Sequence, residues 1–355
     1  MDKYQIDSHK LMYHVPRVND WLQGKTIYPI YMEVSPSGAC NHRCTYCGLD
    51  FMEYKPEFLD VEKFKKTLTE IGLIGVKSIM FAGEGEPLLH KNIAEIVKHT
   101  KKSGIDVAFT TNGVLLNEKI SKEILPYTEW IKISITAGTR KTYAKIHQTK
   151  ESDFDKVIEN ITNAVKIKQN ENYQCSIGMQ LLLLPDNYNE VELLADIGKK
   201  TGCDYLVVKP YSQHLMSKTA KYKDIEYKDA KKLCEKLESY NSENFKIIFR
   251  IQAMNNWNQK EKKYEHCYAL PFWSYLDSSG NVWACSCYLT DDKFNLGNIY
   301  SQSFEEICNS FKRSQIMKWS ENELNTKECR TNCRMNAINQ YLWDLKHPVS
   351  HVNFI

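Results

Sequence analysis

Three cysteines near the start of the chain, Cys40, Cys44 and Cys47, stand in C-x3-C-x2-C spacing within YMEVSPSGACNHRCTYCGLD. Thiolates are soft ligands, and three this close can hold three irons of one [4Fe–4S] cluster. Four protein cysteines are normal for such a cluster, so three leave one iron open to a ligand from outside, where chemistry can occur. A zinc site is the alternative at this spacing, with His42, inside the loop, as the available fourth ligand. A second set of cysteines lies near the other end: Cys267, Cys285, Cys287, Cys308, Cys329 and Cys333. Cys175, Cys203 and Cys234 lie between the two sets and read as small buried hydrophobes. The sequence begins MDKYQIDSHKLMYHVPRVNDW, with no apolar core and no small-residue cleavage site. Twelve cysteines among 355 residues then predict a cytoplasmic protein whose thiols are catalytic or metal-binding rather than paired as disulfides.

The formal net charge of +3 is small and evenly spread, which argues against a nucleic-acid or membrane-surface partner and leaves room for an anionic small molecule. No apolar run approaches the roughly 18 residues that span a bilayer. The cysteines must be positioned by elements, and from about residue 28 to 212 short β-branched or aromatic runs alternate with amphipathic stretches, the pattern of repeated βα units on a parallel sheet. Six strands are predicted: Tyr28–Ser35, Lys77–Gly83, Asp106–Thr111, Trp130–Thr136, Gln174–Leu184 and Tyr205–Tyr211. Helices are expected at Val61–Ile71, Ile93–Ser103, Phe154–Gln169 and Val191–Thr201, with left-handed caps at Gly72, Gly104 and Gly202. Polar or glycine-rich sequence follows each strand, the usual place for chemistry in parallel α/β folds. Past residue 225 come a charged helix (Tyr227–Tyr240) and a strand (Phe245–Ile251). Cysteine-rich sequence without βα alternation follows, which a metal site would staple.

The first cysteine loop, with Tyr46 just before its third cysteine, resembles the signature of the radical S-adenosylmethionine (SAM) superfamily. MFAGEGEPLLH is similar to that family's second-strand Gly-Gly-Glu-Pro motif and maps onto Gly85, Glu86 and Pro87, with Glu84 where the first glycine would stand. Such residues hold the SAM amino group in the family, a carboxylate facing an ammonium. TTNGVLL (Thr110–Leu116) resembles the third strand's end, and WIKISITAG (Trp130–Gly138) the fourth, which places Ser134 near the SAM ribose or carboxylate. Thr136 stands where many relatives carry Asp. Gln180 on the fifth strand, and Val208 and Lys209 in LVVKPYS on the sixth, look like the adenine-side edges. The resemblance implies an α/β fold: a partial (β/α)6 barrel over residues 28–258, after an N-terminal extension of 1–27, with cluster and SAM at the strand ends.

Cys267, twelve residues, Gly280, four residues and Cys285 resemble the C-x(9–15)-G-x4-C pattern of the SPASM extension, or twitch in its shorter form. YLDSSGNVWACSC reads as a hairpin turning at Ser279–Gly280–Asn281. A full SPASM domain carries a second cysteine set that is incomplete here, since no cysteine follows Cys333. Residues 259–355 are therefore expected to form a SPASM/twitch-like domain with one auxiliary [4Fe–4S] cluster on Cys267, Cys285, Cys329 and Cys333; structural zinc at the same residues is the alternative. Cys308 reads as a packed thiol. Cys287 replaces a ligand, returns a hydrogen atom to a substrate radical as a catalytic residue, or faces the core. Tyr211, Gln213 and His214, and Arg334, Asn336, Asn339, His347 and His351 farther on, are substrate contacts only by location. The resemblance implies a low-potential electron donor such as flavodoxin or ferredoxin. It also implies hydrogen abstraction from a hydroxyl-bearing carbon of a small molecule, a sugar, nucleotide-sugar or cyclitol, leading to dehydrogenation or epimerisation. Modification of a ribosomally made peptide is the alternative.

Overall fold

The computed structural model describes residues 4–354. Seven parallel strands form its centre: β1 (Tyr31–Val34), β2 (Ser78–Phe81), β3 (Asp106–Thr111), β4 (Trp130–Ser134), β5 (Ser176–Leu183), β6 (Tyr205–Pro210) and β7 (Lys246–Phe249). The first six lie where period-two alternation predicts them, trimmed by a few residues, and β7 lies within the predicted Phe245–Ile251. Pairing runs in chain order from β1 to β7, so every crossover carries a helix or loop onto one face of the sheet. Met32, Val34, Ile79, Phe81, Val107, Phe109, Ile131, Ile133 and Ile177 are all fully buried on that face. The opposite, concave face carries the alternate residues, among them Glu33, Thr110, Lys132, Ser134, Gln180 and Lys209, with Thr110 set beside Lys132 and Ser134 beside Gln180 by the register.

The helix Val61–Leu73 shows how sequence builds the outer layer. Asp60 caps it by accepting from Lys63 N, and Phe64, Thr67, Leu68 and Ile71 recur at helical spacing and are buried. Gly104 and Gly202 take left-handed angles, φ +76° and +74°, as expected at helix ends. Gly72 does not, because the helix runs through it and Gly75 (φ +93°) turns the chain instead. A Cβ on Gly72 would sit 2.2 Å from Ser103 O, so glycine is there to let the helix Val61–Leu73 lie against the end of the helix Ile93–Lys102.

Sequence periodicity does not reveal where the C-terminal part goes. Strand β8 (Trp273–Leu276) adds to the free side of β1 in parallel, and β9 (Asn281–Trp283) and β10 (Asn295–Asn298) continue antiparallel, giving one ten-stranded sheet of order β10-β9-β8-β1-β2-β3-β4-β5-β6-β7. The predicted hairpin is β8–β9, its turn organised by Asp277, whose carboxylate accepts from Ser279 N and Asn281 N. Buried Arg313 locks the extension down by donating to Ile27 O (2.9 Å) and Cys308 O (3.0 Å). Cys175, Cys203 and Cys308 are buried among apolar residues. No helix among the described residues is long and apolar enough to cross a membrane.

Candidate active site and metal centres

The Cys40–Cys47 loop leaves the end of β1 and is strapped from two sides. Arg43 N and Thr45 N donate to His147 O (3.1 Å) and Ile146 O (2.8 Å), the carbonyl end of the helix Arg140–His147. From β2, Glu86 N donates to Ala39 O (2.8 Å), and from β3, Asn112 Nδ2 donates to Asn41 Oδ1 (2.6 Å). Gly85 permits this: a Cβ there would lie 2.3 Å from both Ser37 O and Ala39 O. The three thiols are half-buried. Burial pushes Cys40 up to about 12, with Glu86 and Cys47 adding to it, and pushes Cys44 and Cys47 up as well. Cys47 raises Cys40 and both raise Cys44, so the three lie close together, and a bound metal removes their protons. A backbone donor already faces one sulfur, His42 N lying 3.5 Å from Cys40 Sγ.

Behind Cys44 sit two histidines that spacing could not join. His147 Nδ1 is 3.2 Å from Cys44 Sγ, and its Nε2 meets Ile135 O at 2.8 Å. His42, Cys44 and His147 bring their ligand atoms within 4.8 Å of one another, so of the zinc alternative's four residues only Cys44 and His42 fall in this group. Burial lowers His42 to about 4 and His147 to about 3, so both are neutral at physiological pH. Tyr46 packs its ring edge-on against His147 and accepts a hydrogen bond from Thr136 Oγ1 (3.4 Å). Thr136 itself is held at φ +48°, a strained backbone of the kind that collects at functional sites.

Glu86 is buried beside Cys40 and accepts from Thr111 Oγ1 (2.5 Å), Asn112 N (2.8 Å) and Leu88 N (3.1 Å). Burial raises its carboxyl above the ordinary value while those three donors pull it back. Pro87 opens the buried turn Pro87–Leu89 that follows. Glu84, the departure from the glycine pattern, accepts from Ser278 N at 2.7 Å, so it ties the β2 loop to the β8–β9 turn. Ser134 and Gln180 meet on the concave face, Gln180 Nε2 donating to Ser134 Oγ (3.3 Å). Lys209 shares that face. Val208 does not: its side chain is fully buried in the outer core, so only its backbone is available to a ligand.

Five thiols gather in the C-terminal part. Cys267 Sγ accepts from Asn339 Nδ2 (3.4 Å), Cys285 Sγ from Cys287 N (3.4 Å) and Cys333 Sγ from Met335 N (3.4 Å), while Tyr288 Oη lies 3.5 Å from Cys329 Sγ. Each of the four expected ligands thus has its own hydrogen-bonding partner, the environment that cluster sulfurs use to tune potential. The neighbouring Cys285 thiol holds Cys287 down to about 7 against burial. The structure therefore places Cys287 within the auxiliary thiol group. Converting Cys287 to Ala is expected to leave iron at about eight per chain after reconstitution, the sum of two four-iron clusters; a fall to about four would make Cys287 a ligand.

Two side chains bridge the segments that carry the two thiol groups. Phe51, four residues after Cys47, stacks on His214 (4.9 Å), whose Nε2 meets Ser286 O (2.9 Å) between Cys285 and Cys287. Of the residues placed by location alone, His214 and Asn339 thus contact the centres. His351 is exposed, and His347 packs on Trp343. His147 was not legible in the sequence, because only the fold brings it to Cys44.

A partial barrel with a three-cysteine loop at its strand ends and a second thiol set docked beside it is the architecture of an iron–sulfur enzyme that uses SAM. A family model for the radical SAM superfamily matches residues 34–197, and one for the SPASM iron–sulfur cluster-binding domain matches 267–334. The chain belongs to the radical SAM superfamily and carries a C-terminal SPASM domain. Such proteins bind a [4Fe–4S] cluster, SAM and auxiliary iron–sulfur clusters. A GTP 3′,8-cyclase of Chlorobaculum tepidum is 27% identical over 201 residues, 54% of this chain and 57% of its own length. An S-adenosylmethionine-dependent nucleotide dehydratase of Lacinutrix mariniflava is 33% identical over 112 residues, 30% of this chain and 23% of its own. The match to the cyclase therefore spans little more than half of that relative. Streptococcus suis SuiB bound to S-adenosylmethionine superposes with a TM-score of 0.65 at 16% identity, covering 94% of this chain and 79% of SuiB, which shows the shared fold.

Proposed function

We propose that this protein abstracts a hydrogen atom from a hydroxyl-bearing carbon of a small sugar-like or nucleotide-like molecule, with dehydrogenation or epimerisation as the outcome. The observation that carries this reading is closure of the concave face. The N-terminal segment lies across it, Tyr4 packing at a tilt on Tyr205 (4.9 Å) and Asp7 pairing with Arg250 (3.1 Å). From the other side Arg334 reaches Glu33, and the helix Asn336–Lys346 meets the N-terminal segment where Tyr341 packs on His9 (4.8 Å). A face covered by its own chain suits a small molecule better than an extended peptide. The names of the two curated relatives, a GTP cyclase and a nucleotide dehydratase, point to the same class.

The residues divide the work. Cys40, Cys44 and Cys47 would hold the SAM-binding cluster, and Cys267, Cys285, Cys329 and Cys333 the auxiliary one. Glu86, beside Cys40, would take the SAM amino group with Gly85 and Pro87 shaping its turn, and Ser134, Gln180 and Tyr46 would line the remainder. When bound, cluster and SAM supply a 5′-deoxyadenosyl radical, and the chain's part is to orient substrate against it and exclude water. A low-potential donor such as flavodoxin or ferredoxin would feed the cluster.

The test is isotopic. Reconstituted protein with SAM, dithionite and small carbinols deuterated at carbon is expected to place deuterium in 5′-deoxyadenosine. Product of unchanged mass means epimerisation, and loss of two hydrogens means dehydrogenation. Deuterium arriving only from labelled peptides would overturn the reading.

A further inference from the structure

We propose that Asn339 is a positioning residue for the auxiliary centre: it fixes the sulfur of Cys267 and, through its side-chain N–H, raises the reduction potential of the cluster held there. The proposal rests on Cys267 being a cluster ligand and is separate from the reaction assigned above.

Asn339 belongs to the helix Asn336–Lys346 and is 2% exposed. Its Oδ1 accepts from Tyr268 N (2.8 Å) and Ala269 N (2.9 Å), the two backbone donors that follow Cys267. Both stand at the entrance of the short turn Leu270–Phe272, where backbone donors need an acceptor from outside the turn. A side-chain amide has one acceptor oxygen and one donor nitrogen, and its two orientations are told apart by their partners. The reverse orientation would set Nδ2 against two N–H groups. Nδ2 therefore faces the other way, where it meets Cys267 Sγ at 3.4 Å.

The other sulfurs are served differently. Cys285 and Cys333 accept from the backbone N–H two residues on, Cys287 N and Met335 N (both 3.4 Å), which their own loops supply. Asn339 reaches Cys267 from 72 positions away. Its own backbone is anchored beside another expected ligand, Asn339 N donating to Met335 O (2.8 Å). The turn that follows Cys333 thus aims a donor at Cys267, and one side chain ties two of the four ligands together. Reduction adds negative charge to a cluster and its sulfurs, and a fixed N–H dipole aimed at a sulfur favours that state. Buried as it is, the dipole is weakly screened. Asn339 therefore makes the auxiliary centre a readier electron acceptor.

The experiment uses the full chain with Cys40, Cys44 and Cys47 replaced by alanine, so that only the auxiliary centre is reconstituted. Its potential is titrated while the reduced cluster is followed by electron paramagnetic resonance. Asn339→Asp is the informative variant: one carboxylate oxygen can still accept from Tyr268 N and Ala269 N, but an oxygen replaces the donor that faces the sulfur. Iron is expected to stay at about four per chain. At a fixed ambient potential the ratio of reduced to oxidised cluster should fall by about tenfold or more, equivalent to about 59 mV for one electron. With Asn339 intact and asparagine side chains labelled with nitrogen-15, pulsed spectra of the reduced cluster should carry a nitrogen coupling. That reading decides the matter if the Asp variant loses its iron. An unchanged potential in the iron-loaded Asn339→Asp chain, or no nitrogen coupling in the labelled one, would overturn the proposal. Full iron in a Cys267→Ala chain would overturn it by removing the ligand on which it rests. A lowered potential without deuterium transfer from any carbinol would uphold it and remove the reaction assigned above.

Discussion

Replacing Cys40, Cys44 and Cys47 together by alanine is expected to lower iron from about eight to about four per chain and to abolish 5′-deoxyadenosine production with SAM and dithionite. The argument is local. Cys47 lies close enough to raise both Cys40 and Cys44, and Cys40 to raise Cys44, on a loop strapped to the segments after β2 and β3 and to the helix Arg140–His147 by hydrogen bonds that do not involve their sulfurs. Alanine therefore removes the ligands and leaves the backbone bonds of the loop in place. The auxiliary thiols, each with its own hydrogen-bonding partner, are expected to keep their iron. Iron counting paired with nucleoside detection by chromatography reads both halves. Little iron, stoichiometric zinc and no SAM cleavage in the wild type would sink the assignment and leave the His42–Cys44–His147 group as a zinc site.

The second large effect is expected from Gly85→Ala, which touches no ligand. The added methyl would stand 2.3 Å from the carbonyl oxygens of Ser37 and Ala39, far inside van der Waals contact. The β2 loop and the cysteine loop must then separate, losing the Glu86 N to Ala39 O bond (2.8 Å) and moving the Glu86 carboxylate away from Cys40. Overpacking of this kind is paid for by backbone shifts of about 1–3 kcal/mol, and in this loop the shift falls on the metal site. We expect iron to fall toward about four per chain and SAM affinity to drop by about tenfold or more. Gly104→Ala is the control, since a Cβ there meets nothing within 4 Å and only the positive φ resists it. That variant should lower the melting temperature by only about 1–2 °C, equivalent to about 1 kcal/mol, with full iron. Gly85→Ala with full iron and unchanged SAM affinity would show that the two loops are not coupled through this contact.

Local pattern made much of the fold legible. Asp106–Thr111 and Val191–Thr201 occupy the residues that alternation and helical spacing predict, because periodicity records which face of an element is buried. The first three cysteines and the β8–β9 hairpin were readable for a related reason, since ligand spacing and turn chemistry act over a few residues. Gly72 shows the limit: local punctuation suggested a cap, and a contact with Ser103, 31 positions along the chain, decided otherwise.

What the sequence by itself determined was the kind of elements, their order, and which thiols were near one another along the chain. Tertiary structure alone decided that β8 inserts beside β1, that Asn339 reaches the sulfur of Cys267, and that His147 backs Cys44. These are pairings between distant segments. They follow from strand register and from how the concave face is covered, and such choices leave no trace in any short window of sequence, because their energy is shared between residues that meet only when the sheet has formed.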